Sequence, residues 1–159
     1  MKIAIVLVLF TFCTVSVLFI PAEAVLTLQR GFHGGEFYIE VDQNYNWFEA
    51  SHECARKNLT LLEILDNDKN QEVLSALQFY IGNSNNFWLG ANDEYSEANP
   101  RPFYWSSGKL VTFTYWSSGQ PDNLDKAEHC LHLWSATTDF QWNDERCTLK
   151  MGFICEKPE

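Results

Sequence analysis

Five side chains that carry oxygen fall in two short clusters late in the chain. The first contains Gln120, Asp122 and Glu128, with a proline between the first two, and the second is the pair Asn143 and Asp144. Calcium takes about six to eight oxygen ligands from carboxylates and from amide or backbone carbonyls. Three carboxylates and two amides supply such a set and leave one or two positions for an outside ligand. The sequence therefore predicts a calcium site that a second molecule completes.

The start of the chain differs in composition from the rest. Lys2 precedes an apolar run over residues 3–20, which ends in Pro21 and a small-residue triplet closing at Ala24. A basic start, an apolar centre and an A-x-A ending are typical of a secretory signal peptide, although a run of this length also approaches that of an uncleaved anchor. We expect residues 1–24 to be a cleaved signal peptide. Residues 25–159 then form one domain of roughly 135 residues.

Charge and hydropathy narrow the choice of partners. The formal net charge of −10 repels phosphate backbones and anionic membrane surfaces, so nucleic acid is excluded as a partner. No segment after residue 24 is apolar enough to insert in a membrane, and we expect a secreted, extracellular protein. Asn58 begins the sequon Asn-Leu-Thr, which becomes usable after export. The sequence leaves open whether Asn58 is glycosylated.

Four cysteines remain once the signal peptide is set aside. They are Cys54, Cys130, Cys147 and Cys155, and an even number in an exported chain favours two disulfides with three possible pairings. A zinc site is the alternative, but no C-x-x-C pair exists and the spacings are long. If Cys130 bonds Cys147, both flanks of the second oxygen cluster are held beside Glu128, with about 3 kcal/mol of stabilisation.

Regular elements that position the clusters are predicted in the first half of the chain. Alternation over residues 37–41 predicts an opening strand, and apolar residues at helical spacing predict a helix over residues 47–57. A second helix, capped by Asp66 or Asp68, has an apolar stripe that reaches Ile81. Both stripes are expected to pack in the core.

The second half reads as loops and short strands. Residues 82–119 are rich in Asn, Ser, Pro and Gly, with Val111, Phe113 and Tyr115 alternating in the manner of a strand. Helices that come early and short strands that come late predict an α+β fold. A long irregular segment in a compact domain is usually functional.

The order and spacing of the oxygen clusters and cysteines resemble the C-type lectin family. Each tripeptide alone is a plausible surface turn, whereas the combination is specific. The match runs from about Phe37 to Glu156 and includes the helix that carries Cys54, the run Phe87–Gly90 and the motif Trp142-Asn143-Asp144. The resemblance implies a short-form, double-loop domain with two helices, short antiparallel sheets and a long calcium-binding loop region. It also implies the pairs Cys54–Cys155 and Cys130–Cys147.

The resemblance also implies a function. In sugar-binding members, the residues that match the five predicted ligands hold the principal calcium, and two vicinal sugar hydroxyls complete its shell. Gln-Pro-Asp accompanies a preference for galactose, and Pro121 matches the family's cis-proline. The chain is thus similar to small secreted invertebrate lectins and is expected to bind Ca²⁺ and galactose- or N-acetylgalactosamine-type glycans. Recognition in innate immunity or in reproductive fluids is the implied setting.

The expected sugar contact departs from the family pattern at one position. Leu124 stands where strong galactose binders carry an aromatic that stacks on the sugar. Affinity for a single galactose is therefore expected to be weak, with loose discrimination against other sugars.

A second, auxiliary calcium is also implied by the resemblance. Asp93 and Glu97 match an acidic pair that holds it in some members, with Glu128 shared. Asn123 replaces one further acid but still offers an oxygen, whereas His129 replaces another and is a poor ligand for a hard cation. The alternative is an exposed acidic loop.

Two other classes of function, a glycosidase and a protein-binding domain, also fit parts of the sequence. Paired carboxylates also serve glycosidases, but here they lie among amides in a calcium-ligand pattern, and no recognised catalytic set is present. We therefore expect no enzyme. The remaining rival is a lectin-like domain that binds a protein and no sugar, although such relatives typically lose the calcium ligands. The sequence leaves the oligomeric state open.

Overall fold

The computed structural model describes residues 24–31, 34–80, 85–93, 96–98, 100–137 and 139–158. The predicted signal peptide lies outside the described residues except for Ala24. The described residues contain two helices, eight strands and one 3₁₀ turn at Leu124–Lys126. The elements are β1 Thr27–Arg30, β2 Glu36–Tyr45, α1 Trp47–Arg56, β3 Thr60–Leu61, α2 Asn67–Tyr80, β4 Phe87–Asn92, β5 Tyr104–Trp105, β6 Cys130–Leu133, β7 Trp142–Glu145 and β8 Met151–Glu156.

Both predicted helices are present, and side chains close their first turns. At α1 the Asn46 side chain accepts from the Glu49 amide at 2.9 Å, while the Glu49 carboxylate accepts from the Asn46 amide at 2.8 Å. This reciprocal pair satisfies two backbone donors that a helix start leaves free. At α2 the Asp66 carboxylate accepts from the Lys69 amide at 2.8 Å. The sequence prediction of a capping aspartate at α2 is therefore confirmed for Asp66.

The strands form one mixed sheet in the order β1-β2-β8-β4-β6-β7, with β3 paired to β8 and β5 to β4. Only the β4–β8 pair among these is parallel. The main core contains α2 residues together with residues of β2, β4, β6, β7 and β8. This architecture confirms the α+β, double-loop fold. Among the described residues, no helix is long and apolar enough to cross a bilayer.

The alternating segment at residues 111–115 is not a strand, so that prediction is wrong. Val111, Phe113 and Tyr115 are half-buried against the main core, and the neighbouring chain forms only isolated bridges at Leu110 and Trp116. The alternation comes from packing one side of an irregular segment on the core, which produces the same period as a strand without a partner ladder.

Two disulfides, with the pairing that the resemblance implies, tie the elements together. Cys54–Cys155 joins α1 to β8, and Cys130–Cys147 joins the start of β6 to the turn after β7. Asn58 lies just beyond α1, is exposed and has a positive φ of 57°. Glycosylation of Asn58 stays a prediction.

Candidate functional site

The site is built on the β6–β7 pair and on the segment that begins at residue 115 and packs against β7. In the antiparallel register, Leu131 faces Asp144 and His132 faces Asn143. The amide of Ser117 donates to the Trp142 carbonyl at 2.8 Å. This contact brings the following turn, which contains the cis Gln120–Pro121 peptide, toward the end of β7.

Three of the five predicted ligands converge. One carboxylate oxygen from each of Asp122, Glu128 and Asp144 lies within 4.8 Å of the others. Asp144 is fully buried, and its Oδ1 accepts from the Asp122 amide at 3.0 Å, while its Oδ2 accepts from the Asn123 amide at 2.9 Å and from Arg101 Nη2 at 2.9 Å. Asp144 therefore holds the Gln-Pro-Asp turn against β7.

Asn143 is oriented by a buried histidine, His132. Burial lowers the pKa of His132 to about 4, so its ring is neutral. Its Nδ1 lies 3.1 Å from the Leu133 carbonyl and must carry the proton, which leaves Nε2 to accept from Asn143 Nδ2 at 3.1 Å. Nδ2 also donates to the Asp144 carbonyl at 2.7 Å. The buried Asn143 Oδ1 is left without a hydrogen-bond partner.

Gln120 lies at the edge of this cluster and is half-buried. Its Oε1 accepts from the Asp122 amide at 3.0 Å, so the side chain folds back over the turn. Its Nε2 amide group is a donor, unlike the ionised carboxylates beside it, which only accept. The site thus presents one amide donor beside several acceptors.

Negative charge at the site exceeds what the described cations balance. Burial, followed by the nearby carboxylate of Glu145 and then that of Asp144, raises the pKa of Glu128 to about 7. The Glu128 carboxyl group therefore holds a proton to a higher pH than an ordinary glutamate does. A proton at this position indicates a place where a cation would be favoured.

The raised pKa of Glu128 gives a pH prediction for the metal-free protein. A glutamate in an unfolded chain has a pKa of about 4.3, so between that pH and about 7 the folded state holds a proton that the unfolded state has released. Stability therefore falls as pH rises through this window. We expect a higher thermal midpoint in chelator at pH 5 than at pH 7.5, measured by circular dichroism. The difference should shrink in Glu128→Gln, and an unchanged difference would contradict the assignment.

The residues predicted for an auxiliary calcium are only partly brought together. Asp93 is buried at the end of β4, whereas Glu97 is exposed. Asn123 Oδ1 accepts from the Glu128 amide at 3.1 Å. Arg101 pairs with Asp93 in this region.

Arg101 is the functional residue that sequence reasoning missed. Its guanidinium contacts the carboxylates of Asp93 and Asp144. A signal was available, because Arg101 is the only lysine or arginine between Lys69 and Lys109. A lone cation in a loop region opposite clustered carboxylates is a candidate for pairing with them.

Fold and site together define a double-loop α+β domain with a cluster of three acidic residues at the end of its sheet. The Lectin C-type domain family matches residues 43–157. The chain is 45% identical to lectin subunit alpha of Sarcophaga peregrina over an alignment of 143 residues. This alignment covers 88% of this chain and 50% of that protein. It is 31% identical over 149 residues to C-type lectin 37Db of Drosophila melanogaster, covering 87% of this chain and 94% of that protein. The chain belongs to the C-type lectin family.

A solved structure gives the same result. The carbohydrate-recognition domain of the mouse scavenger receptor C-type lectin superposes with a TM-score of 0.68 and 26% identity, covering 82% of this chain and 95% of its own length. The chain spans half the length of lectin subunit alpha. Family membership also confirms that the chain is a binding protein of the lectin type and not an enzyme.

Proposed function

We propose that this chain is an exported, calcium-dependent carbohydrate-binding protein with a preference for galactose-type glycans. The observation that carries the proposal is the convergence of the Asp122, Glu128 and Asp144 carboxylates within 4.8 Å beside a buried amide oxygen, Asn143 Oδ1, that has no partner. A buried acceptor without a partner destabilises the folded protein unless a donor or a cation contacts it. Calcium is suited to the site because it takes carboxylate and amide oxygens together.

The five predicted ligands have distinct roles in this proposal. Asp122, Glu128 and Asp144 supply charge, and Asn143 supplies the buried amide oxygen. Calcium, when bound, offers open coordination positions to two sugar hydroxyls. Asn143 Nδ2 is already engaged by His132 and by the Asp144 carbonyl, so Gln120 is the amide donor left to meet a hydroxyl.

The names of the relatives support sugar binding as the function. Lectin subunit alpha and C-type lectin 37Db are both lectins by name, and the similar solved structure is a carbohydrate-recognition domain. The galactose preference rests on the Gln-Pro-Asp sequence at residues 120–122, through the family resemblance. Export rests on the signal-peptide pattern over residues 1–24.

A glycan array probed with the purified mature chain, with calcium and again with excess chelator, tests the proposal. We expect binding to galactose-terminated glycans that chelator and Asp122→Ala both abolish. Asp125→Ala is the matched control, because Asp125 lies in the same loop but pairs with the exposed Arg146 at 2.6 Å. Binding to mannose would overturn the sugar preference alone. Silence on every glycan from folded protein would favour a protein ligand.

A stacking surface should increase the affinity for sugar. Leu124 is 57% exposed beside the cluster, at the position where strong galactose binders in the family place an aromatic. Leu124→Trp is expected to strengthen binding to N-acetylgalactosamine by about fivefold or more, because an aromatic face contributes about 1 kcal/mol when it packs on an apolar partner. Calorimetric titration with the monosaccharide measures this change. Unchanged affinity in Leu124→Trp would place the sugar away from residue 124.

A further inference from the structure

Arg101 lies at the centre of the acidic loops. Its Nη2 donates to Asp144 Oδ2 at 2.9 Å, its Nη1 donates to the Glu128 carbonyl at 2.9 Å, and the same Nη1 is paired with Asp93. The side chain of Arg101 is 16% exposed, and those of Asp93 and Asp144 are 0% exposed. The guanidinium also lies over the Phe103 ring, 5.6 Å from its centroid. It is therefore a largely buried cation that contacts three acidic segments.

These contacts join three separate segments of the chain. Asp93 follows β4, Glu128 precedes β6 and Asp144 belongs to β7. Both oxygens of Asp93 face nitrogen atoms of the protein: His129 Nδ1 lies 2.9 Å from Oδ1, and Arg101 forms an ion pair, without a hydrogen bond, with Oδ2. A guanidinium stays protonated at any physiological pH, so this bridge does not depend on pH or on dissolved metal.

We propose that Arg101 is a permanent internal cation that takes the place of a second calcium and positions Asp144 for the single calcium site. The inference rests on the proposed function, because Asp144 is one of the ligands assigned there. Arg101 is a positioning residue, since it acts through the carboxylate that it holds. The chain is then expected to bind one equivalent of calcium and to keep its loops ordered in chelator.

Charge and positioning predict opposite changes in calcium affinity when Arg101 is replaced. A fixed positive charge near a calcium site repels the ion, so removing the charge alone would strengthen calcium binding. Releasing Asp144 from its hydrogen bond has the opposite effect, because residues that orient a metal ligand are typically worth about 10- to 100-fold in affinity. A weaker affinity in a variant at position 101 therefore reports positioning.

The experiment compares the wild-type chain with Arg101→Gln and Arg101→Lys by calorimetric calcium titration and by thermal unfolding in chelator. We expect one equivalent in the wild type. In Arg101→Gln we expect calcium affinity to fall about 10- to 100-fold, and the midpoint in chelator to fall by on the order of 10 °C, because two buried carboxylates lose their partner. Arg101→Lys keeps the charge but loses the planar fork, and is expected to lie between the two.

Arg146→Gln is the matched control. It removes a guanidinium from the same loop region, but its pair with Asp125 is exposed, at 46% and 68% for the two side chains, and such pairs contribute little to stability. Two equivalents in the wild type, or calcium affinity in Arg101→Gln equal to or tighter than in Arg146→Gln, would overturn the inference and leave the proposed function standing. If Arg101→Gln does not fold, the same comparison with Arg101→Lys decides. No calcium bound by the wild type would overturn the proposed function and this inference with it.

Discussion

Asp144→Asn is expected to lower calcium affinity by at least about 100-fold, the upper end of what the loss of an orienting neighbour produces. The Asp144 carboxylate accepts three hydrogen bonds, from the Asp122 and Asn123 amides and from Arg101. An amide has only one oxygen, so either orientation turns an NH₂ group toward at least one of these donors. The variant therefore loses a ligand charge and also the contacts that hold the Gln-Pro-Asp turn.

Calorimetric calcium titration measures this effect, with Asp125→Asn as the control. Asp125 is an acidic residue of the same loop, and its side chain is 68% exposed and paired with Arg146. Its replacement removes the same formal charge without touching the three-carboxylate cluster. Equal calcium affinities for the two variants would mean that the calcium lies elsewhere and that the cluster is an unrelated acidic surface.

Removal of the Cys54–Cys155 disulfide is expected to lower the free energy of unfolding by about 4–5 kcal/mol, the value for a closed loop of roughly 100 residues. The two cysteines are 101 residues apart and link α1 to β8. Cys130 and Cys147 are separated by only 17 residues, for which the same treatment gives about 3 kcal/mol. Urea unfolding of Cys54→Ala/Cys155→Ala and Cys130→Ala/Cys147→Ala compares them.

The two cysteine variants should rank in the opposite order for calcium affinity: the variant that loses less stability should lose more affinity. Cys130 and Cys147 flank β6 and β7, so their loss loosens the strands that carry Asn143 and Asp144. We expect the larger loss of calcium affinity in that variant and the larger loss of stability in the other. A Cys54→Ala/Cys155→Ala protein as stable as the wild type would contradict the loop-closure argument.

Features with local causes could be predicted from the sequence. The start of α2 at its Asp66 cap follows from one side chain and the neighbouring backbone. The five proposed calcium ligands could be identified because their chemistry and spacing are visible along the chain. Residues 111–115 were misread because alternation reports one-sided burial, which a strand and an irregular segment on a core both produce.

Features that depend on distant contacts could not be predicted in the same way. Arg101 meets Asp144 across 43 positions of sequence, so its isolation as a cation indicates pairing with a carboxylate but not which one. His132 lies at a buried strand position, but its role depends on facing Asn143 in the β6–β7 register. A single residue of slip in that register would turn the histidine away from Asn143.

The central place of β8 in the sheet has a consequence for the order of events during synthesis. This strand pairs with β2, β3 and β4, so the sheet is incomplete until residue 156 has been made. Cys54 is accordingly made 101 residues before its partner Cys155. In the export that we propose, the Asn58 sequon, four positions after Cys54, is translocated before the domain can fold. Any glycosyltransferase acting on the nascent chain would therefore meet Asn58 in an unfolded polypeptide, and the oxidation of Cys54 to its native partner would follow that encounter.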